Sequence, residues 1–179
     1  MDATEHVFFE MLRKDARSGF EKYTPRLVRC LELLSEKEIW WRPNSASNAA
    51  GNIVLHLCGN VRQWIISGLG GARDVRVRDQ EFSERGPLPR RALIRQLKTT
   101  VKEACEVIDR LSAETMSQEH KIQGYRVSGL VALIHVYEHF AYHAGQIIFL
   151  AKLKTGKDLR FTRLPAEKPP VRRRKIEHP

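Results

Sequence analysis

The sequence predicts an all-α fold, a four-helix bundle with a long crossover between helices 2 and 3. Four stretches of roughly 20–30 residues place apolar residues at helical spacing, and few stretches alternate as strands do. The polar connection over residues 69–89 is too long for a simple helix–helix turn. The chain has 179 residues, 42% of them hydrophobic and 29% charged, which suffices for one domain with its own core.

The first and third predicted helices, at about residues 4–35 and 89–111, are amphipathic. Regularly spaced apolar residues alternate in them with charged ones, so one face is expected in the core and the other in solvent. Pro25 falls inside the first helix. Because proline lacks a backbone N–H, we expect a kink or break near residues 23–24.

The second and fourth predicted helices, at about residues 47–68 and 127–154, are apolar on almost every side. A helix of that kind is expected to be buried. Ser47 or Asn48 is expected to cap the start of the second helix, because both residue types favour the N-cap position. The same helix is expected to end at Gly68.

The domain is expected to span residues 1–160 and to be followed by a basic, proline-containing tail over residues 161–179. Residues 160–179 carry half of the net charge of +10. No aromatic residue interleaves with the basic run, so we do not expect a nucleic-acid partner. No apolar run is long enough for a membrane span, and the N-terminus lacks the pattern of a secretory signal. Three distant cysteines without a C-x-x-C pair indicate free thiols and a cytoplasmic location.

Histidines are concentrated in the two apolar helices. His135, His139 and His143 follow one another at intervals of four, so they lie on one stripe of the fourth helix, and His56 lies in the second. An imidazole buried without a partner costs roughly 1–3 kcal/mol, and one metal ion would satisfy several imidazoles at once. Two histidines at i and i+4, with a third from a facing helix, would form an open three-histidine site.

A second interpretation uses a different pair of histidines. The segment H-V-Y-E-H from His135 to His139 matches the H-x-x-E-H pattern of inverzincin peptidases, with Glu138 as general base. Such peptidases need a further acidic ligand well downstream, and only three acidic residues follow in this chain. A short pattern also arises easily in a histidine-rich helix, so this interpretation ranks second.

The string H-F-A-Y-H-A-G-Q, which begins at His139, together with His56 in the second helix, resembles the DinB superfamily. The string NSASNAAGNIVLHLCGNVRQWI, followed later by RDQEF, is similar to an uncharacterised branch of it. The resemblance covers about residues 5–155. It implies a homodimer and one divalent ion, nickel or zinc, held by His56, His139 and His143. Many members have Arg where this chain has Ala144, so any role of that Arg is absent here or filled elsewhere.

Four polar side chains are candidates for orienting water or substrate beside such an ion. They are Asn60, Gln63, Gln146 and Glu138. The first two share the helix face of His56, and the third lies one turn after His143. We expect His135 to be a hydrogen-bonded core residue or to support the ligands.

The resemblance implies two kinds of enzyme that act on a small-molecule substrate. Some members transfer a low-molecular-weight thiol such as bacillithiol, mycothiol or glutathione, and others are described only as metal-dependent hydrolases. In both, the ion would lower the pKa of a bound thiol or water. The sequence places no obvious carboxylate beside the histidines except Glu138, and a metal-bound thiol needs no general base, which favours the transferase. A non-catalytic metal-binding stress or interaction protein is the alternative.

Overall fold

The computed structural model describes residues 3–86 and 88–162. Its long helices are α1 (Ala3–Leu33), α3 (Ala50–Val61), α5 (Arg90–Ile108) and α7 (Gly129–Thr155). The shorter elements are α2 (Glu36–Ile39), α4 (Arg78–Ser83), α6 (Ala113–Ser117) and the antiparallel strands β1 (Glu119–Ile122) and β2 (Tyr125–Ser128). The all-α prediction is therefore confirmed. Residues 163–179, most of the predicted tail, lie outside the described part of the chain.

The four long helices surround one core. α1 packs against α7 and α5, and α3 packs against the same two helices. Phe20 of α1 meets Phe140 of α7 edge to face, with ring centroids 5.0 Å apart. Such a pair contributes about 0.5–1.5 kcal/mol beyond the area that it buries. Among the described residues, no helix combines the length and apolarity that crossing a membrane requires.

α1 continues through Pro25 as one helix, so the break expected near residues 23–24 is wrong. The Thr24 hydroxyl donates a hydrogen bond to the Phe20 carbonyl at 2.7 Å. Leu27, one turn later, is completely buried. An internal proline costs about 3 kcal/mol, and burying one or two large apolar side chains, at about 1.5–3 kcal/mol each, offsets that cost.

α3 begins later than the expected caps, Ser47 and Asn48. The N-cap residue is Ala49, whose N–H donates to Oδ1 of Asn52 at 3.3 Å. The Ser47 hydroxyl donates instead to Oδ1 of Asn44 at 2.9 Å, within a turn that precedes the helix. Its hydroxyl is thereby engaged outside the helix, and an asparagine three residues into the helix takes over the capping role.

Beyond α3 the helix continues as a π-helical segment, Arg62–Leu69, and so ends one residue after the expected Gly68. A Cβ atom at Gly68 would clash with the Ile122 side chain of β1. The glycine therefore provides room for the strand and leaves the helix uninterrupted. π-helical turns are often found at functional sites. This segment begins at Arg62 and includes Trp64.

Two connections have more structure than the sequence indicates. The crossover after the π-helical segment contains α4, and the stretch before α7 forms α6 and the β1–β2 hairpin. The hairpin turn uses Gln123 and Gly124, with φ angles of 53° and 86°, as expected for a tight turn between two short strands. Gly156, with φ of 63°, ends α7 in the left-handed conformation.

Candidate metal centre

Three histidines from two helices come together beside the core. His56 of α3 and His139 and His143 of α7 each place a ring nitrogen within 4.8 Å of the other two. The Nε2 atoms of His56 and His139 are 3.0 Å apart. His56 is buried, and the other two rings are half-buried. The helical spacing of four residues in α7 puts two rings on the side that faces α3.

The donor set suits a divalent transition metal. Metal–imidazole bonds are about 2.0–2.1 Å long, so two imidazole nitrogens on one ion lie about 3 Å apart or slightly further. The distance of 3.0 Å between the Nε2 atoms of His56 and His139 matches this geometry. Two lone pairs that face each other so closely need a proton or a cation between them. The other nitrogen of His139, Nδ1, is buried without a hydrogen-bond partner among the described residues.

Glu81 of α4 fixes the orientation of His56. Oε2 of Glu81 lies 2.9 Å from Nδ1 of His56. A carboxylate only accepts hydrogen bonds, so Nδ1 carries the hydrogen and Nε2 presents its lone pair to the cluster. A carboxylate behind a histidine is the usual support of metal-binding imidazoles. The expectation that no buried carboxylate stands beside the histidines is therefore wrong.

Arg76 in turn holds Glu81. Its Nε donates to Oε1 at 2.7 Å, and its Nη2 donates to Oε2 at 2.8 Å. Burial disfavours the charged carboxyl, but the hydrogen bonds from Arg76 and His56 outweigh burial and hold the pKa of Glu81 below its ordinary value. Glu81 is thus an ionised carboxylate whose two oxygens are both engaged.

The four polar candidates have different positions. Oε1 of Gln146 lies 2.7 Å from Nδ1 of His143, so this amide can orient the ring as Glu81 orients His56. Gln63 accepts a hydrogen bond from Arg76 at 2.8 Å and donates one to Asp74, which places it behind the ion pair. Asn60 is buried and lines a cavity beside the cluster. Glu138 is exposed on α7, and its side chain forms no hydrogen bond with another described residue.

The electrostatic environment keeps the α7 histidines neutral. Burial, reinforced by the neighbouring imidazoles and Arg76, lowers the pKa of His139 to about 3. Burial also lowers the pKa of His143, although the Gln146 hydrogen bond opposes the effect. Neutral imidazole is the form that binds metals, so at neutral pH these rings need lose no proton to a binding ion.

A cavity of about 330 Å³ opens beside the cluster. Residues of α3, the π-helical segment, the crossover, β2 and α7 line it. His135, the remaining histidine of the α7 stripe, packs against Trp64 at a tilt, with ring centroids 4.2 Å apart, and forms part of this wall. His135 is thus beside the cavity and outside the three-nitrogen cluster.

The fold is DinB-like. A DinB-like protein of Bacillus subtilis matches with a TM-score of 0.62 at 18% identity, over 81% of this chain and 94% of that one. A DinB-like protein of Bacillus cereus gives 0.60 at 14% identity, over 80% and 92%. A conserved protein from Enterococcus faecalis gives 0.61 at 16% identity, over 88% and 99%. At these identities the likeness shows the fold alone, and this fold is the one that the resemblance to the DinB superfamily implies.

The family model described as "Protein of unknown function (DUF1572)" matches residues 8–168. The match spans most of the sequence, and the chain belongs to this family. No curated protein matches the sequence. The family description assigns no activity, so the chemistry of the site is the guide to function.

Gly59 makes room for the Glu81 carboxylate, because a Cβ atom at Gly59 would overlap Oε1 of Glu81 and lie 2.9 Å from Nε of Arg76. We expect Gly59→Ala to displace the carboxylate and to weaken zinc binding about 10–100-fold, the usual cost of losing a ligand's support. Gly145→Ala in α7 is the control, because its added methyl group would meet no atom within 4 Å beyond its own stretch of helix. Zinc titration against a competing chelator measures both, and equal affinities would contradict the assignment.

Proposed function

We propose that this protein is a metal-dependent enzyme in which His56, His139 and His143 hold one nickel or zinc ion. In this proposal a small thiol is the nucleophile and is transferred to a small-molecule substrate, with water and hydrolysis as the alternative. The convergence of three histidine nitrogens beside a cavity of about 330 Å³ supports the proposal most directly. A bound divalent ion would lower the pKa of a thiol or water in the open coordination position.

The chain's own residues hold the donor atoms in place before any ligand arrives. Glu81 and Gln146 each engage the Nδ1 atom of one histidine, which leaves the Nε2 atoms of His56 and His143 free. Both rings are carried by helices, so little side-chain freedom has to be lost on binding. An arrangement fixed in advance in this way supports catalysis better than a flexible one.

The state of Glu81 favours a thiol over water. Its oxygens are occupied by Arg76 and His56, and the low pKa makes it a poor proton acceptor. It is the only buried carboxylate among the described residues. Water often needs a general base to become a nucleophile, whereas a thiol has a much lower pKa and needs none once it is bound.

A homodimer and a cytoplasmic location belong to the same proposal. Tyr142, Phe149 and Leu153 of α7 are large apolar side chains that are more than half exposed. A second copy of the chain could cover them, because contiguous exposed apolar surface often marks an interface. The three cysteines are free and buried, which is compatible with a reducing compartment.

Alanine at His56, His139 or His143 should remove most of the bound metal, because each substitution deletes one of three ligands. We expect at least about tenfold weaker binding in each case. His135→Ala is the matched control and should keep about one ion per chain. Elemental analysis of untagged, dialysed protein measures the content, and circular dichroism checks the fold. Metal loss in His135→Ala with retention in His143→Ala would support the H-x-x-E-H pairing instead.

Metal content alone would also fit a non-catalytic metal-binding protein, so a second experiment tests for the thiol. We expect a small thiol, added at millimolar concentration to cobalt-loaded protein, to produce a sulfur-to-metal charge-transfer band, because a thiolate is a soft, anionic donor. His139→Ala should lack the band. An unchanged spectrum with bacillithiol, mycothiol and glutathione would contradict the choice of a thiol and favour hydrolysis or a non-catalytic role.

A further inference from the structure

Asn60 lines the cavity, and its buried amide oxygen has no hydrogen-bond partner among the described residues. It lies one helical turn after His56 and is only 3% exposed. Its Oδ1 accepts no hydrogen bond from any residue that the structure describes. A buried polar group left unpaired costs about 1–3 kcal/mol. Oδ1 has almost no accessible surface, so the side chain must turn slightly before an N–H or O–H group of a ligand can supply the missing donor.

Arg78 adds a positive charge to the same cavity wall. Its guanidinium lies over the Phe82 ring, 4.9 Å from the centroid. Among the described residues, no carboxylate forms an ion pair with it. The other arginine of the wall, Arg76, is neutralised by Glu81. Arg78 therefore gives the cavity an uncompensated positive charge, which favours a ligand with an anionic group.

The rest of the wall is mainly aromatic and aliphatic. Trp64 and Tyr125 have ring centroids 6.4 Å apart, and Val127 and Val131 also line the cavity. The Trp64 indole N–H donates to Oε1 of Gln123 at 3.1 Å. This bond fixes the indole against the hairpin turn. Trp64 is buried and packs on His135, whereas Tyr125 is largely exposed, so the Tyr125 ring is the aromatic surface that a flat ring can contact.

We propose that this cavity binds a small anion built on a flat apolar ring, with its negative group at Arg78, its ring against Tyr125, and its hydrogen-bond donor at Asn60. The identification of this anion as the substrate rests on the proposed function, whereas its binding depends only on the cavity residues. The donor end of such a ligand would lie near the histidines, because Asn60 is one helical turn from His56 and both line the cavity.

The probe is 4-hydroxybenzoate, which carries a donor and a carboxylate at opposite ends of a ring. Benzoate lacks the donor, and 4-hydroxybenzamide lacks the charge. Titration is followed by NMR through the Trp64 indole N–H signal, in metal-free and in zinc-loaded protein. We expect 4-hydroxybenzoate to shift this signal and to bind about tenfold more tightly than either analogue. Each analogue lacks one polar contact with the cavity, and the loss of one such contact weakens binding by about that factor.

Asn60→Leu and Arg78→Gln should each weaken probe binding about tenfold. Arg73→Gln is the matched control, because Arg73 is exposed in the same connection but does not line the cavity. Its affinity for the probe should be unchanged. Asn60 is buried, so amide signals distant from the cavity check that its variant is folded. The exposed Arg78 variant carries the test if Asn60→Leu unfolds.

Unchanged affinity for the probe in the folded variants would overturn the inference. So would the absence of any shift of the Trp64 signal at up to ~10 mM probe, because that concentration still detects millimolar binding. Binding that is lost in His139→Ala but kept in both cavity variants would place the probe on the ion and also overturn it. A protein that binds no metal, yet binds the probe through Asn60 and Arg78, would refute the proposed function and support this inference.

Discussion

The Glu81 carboxylate, held between Arg76 and His56, joins the crossover to the histidine cluster. A buried carboxylate is stable only with charged and hydrogen-bonding partners, because losing one partner of a buried ion pair costs about 3–5 kcal/mol. Both oxygens of Glu81 have such partners, at distances of 2.7–2.9 Å. The absence of a side chain at Gly59 makes room for this carboxylate. The orientation of His56 depends on it in turn.

The sequence predicts the helices well because burial leaves a periodic pattern. The stripe of histidines in α7 is visible for the same reason, since intervals of four return to one helix face. The break expected at Pro25 does not occur, because the missing N–H of proline is a local property. It carries no information about the packing of α1 on its neighbours, which keeps the helix continuous. Glu81 was missed because it lies 25 residues from His56, within a run of alternating charges typical of solvent-exposed segments. The only local signal is Gly59 in α3, and its meaning depends on the tertiary contact.

The two glutamates near the cluster show how far local spacing can mislead. Glu138 precedes His139 directly and matches a catalytic pattern, yet it is exposed on α7. Glu81 matches no pattern and is buried against His56. Three neutral ligands would leave a bound ion with its full charge, and the carboxylate behind one of them moderates that charge without occupying a coordination position. The adjoining cavity gives a ligand direct access to this side of the cluster.

X-ray absorption spectroscopy on zinc-loaded protein tests the central claim, that His56, His139 and His143 share one ion, most directly. The account predicts three imidazole nitrogens at about 2.0–2.1 Å from the metal. It also predicts that one imidazole disappears from the spectrum in His143→Ala, whereas His135→Ala keeps all three. The account would be contradicted if the coordination shell of the metal lost an imidazole in His135→Ala and kept all three imidazoles in His143→Ala.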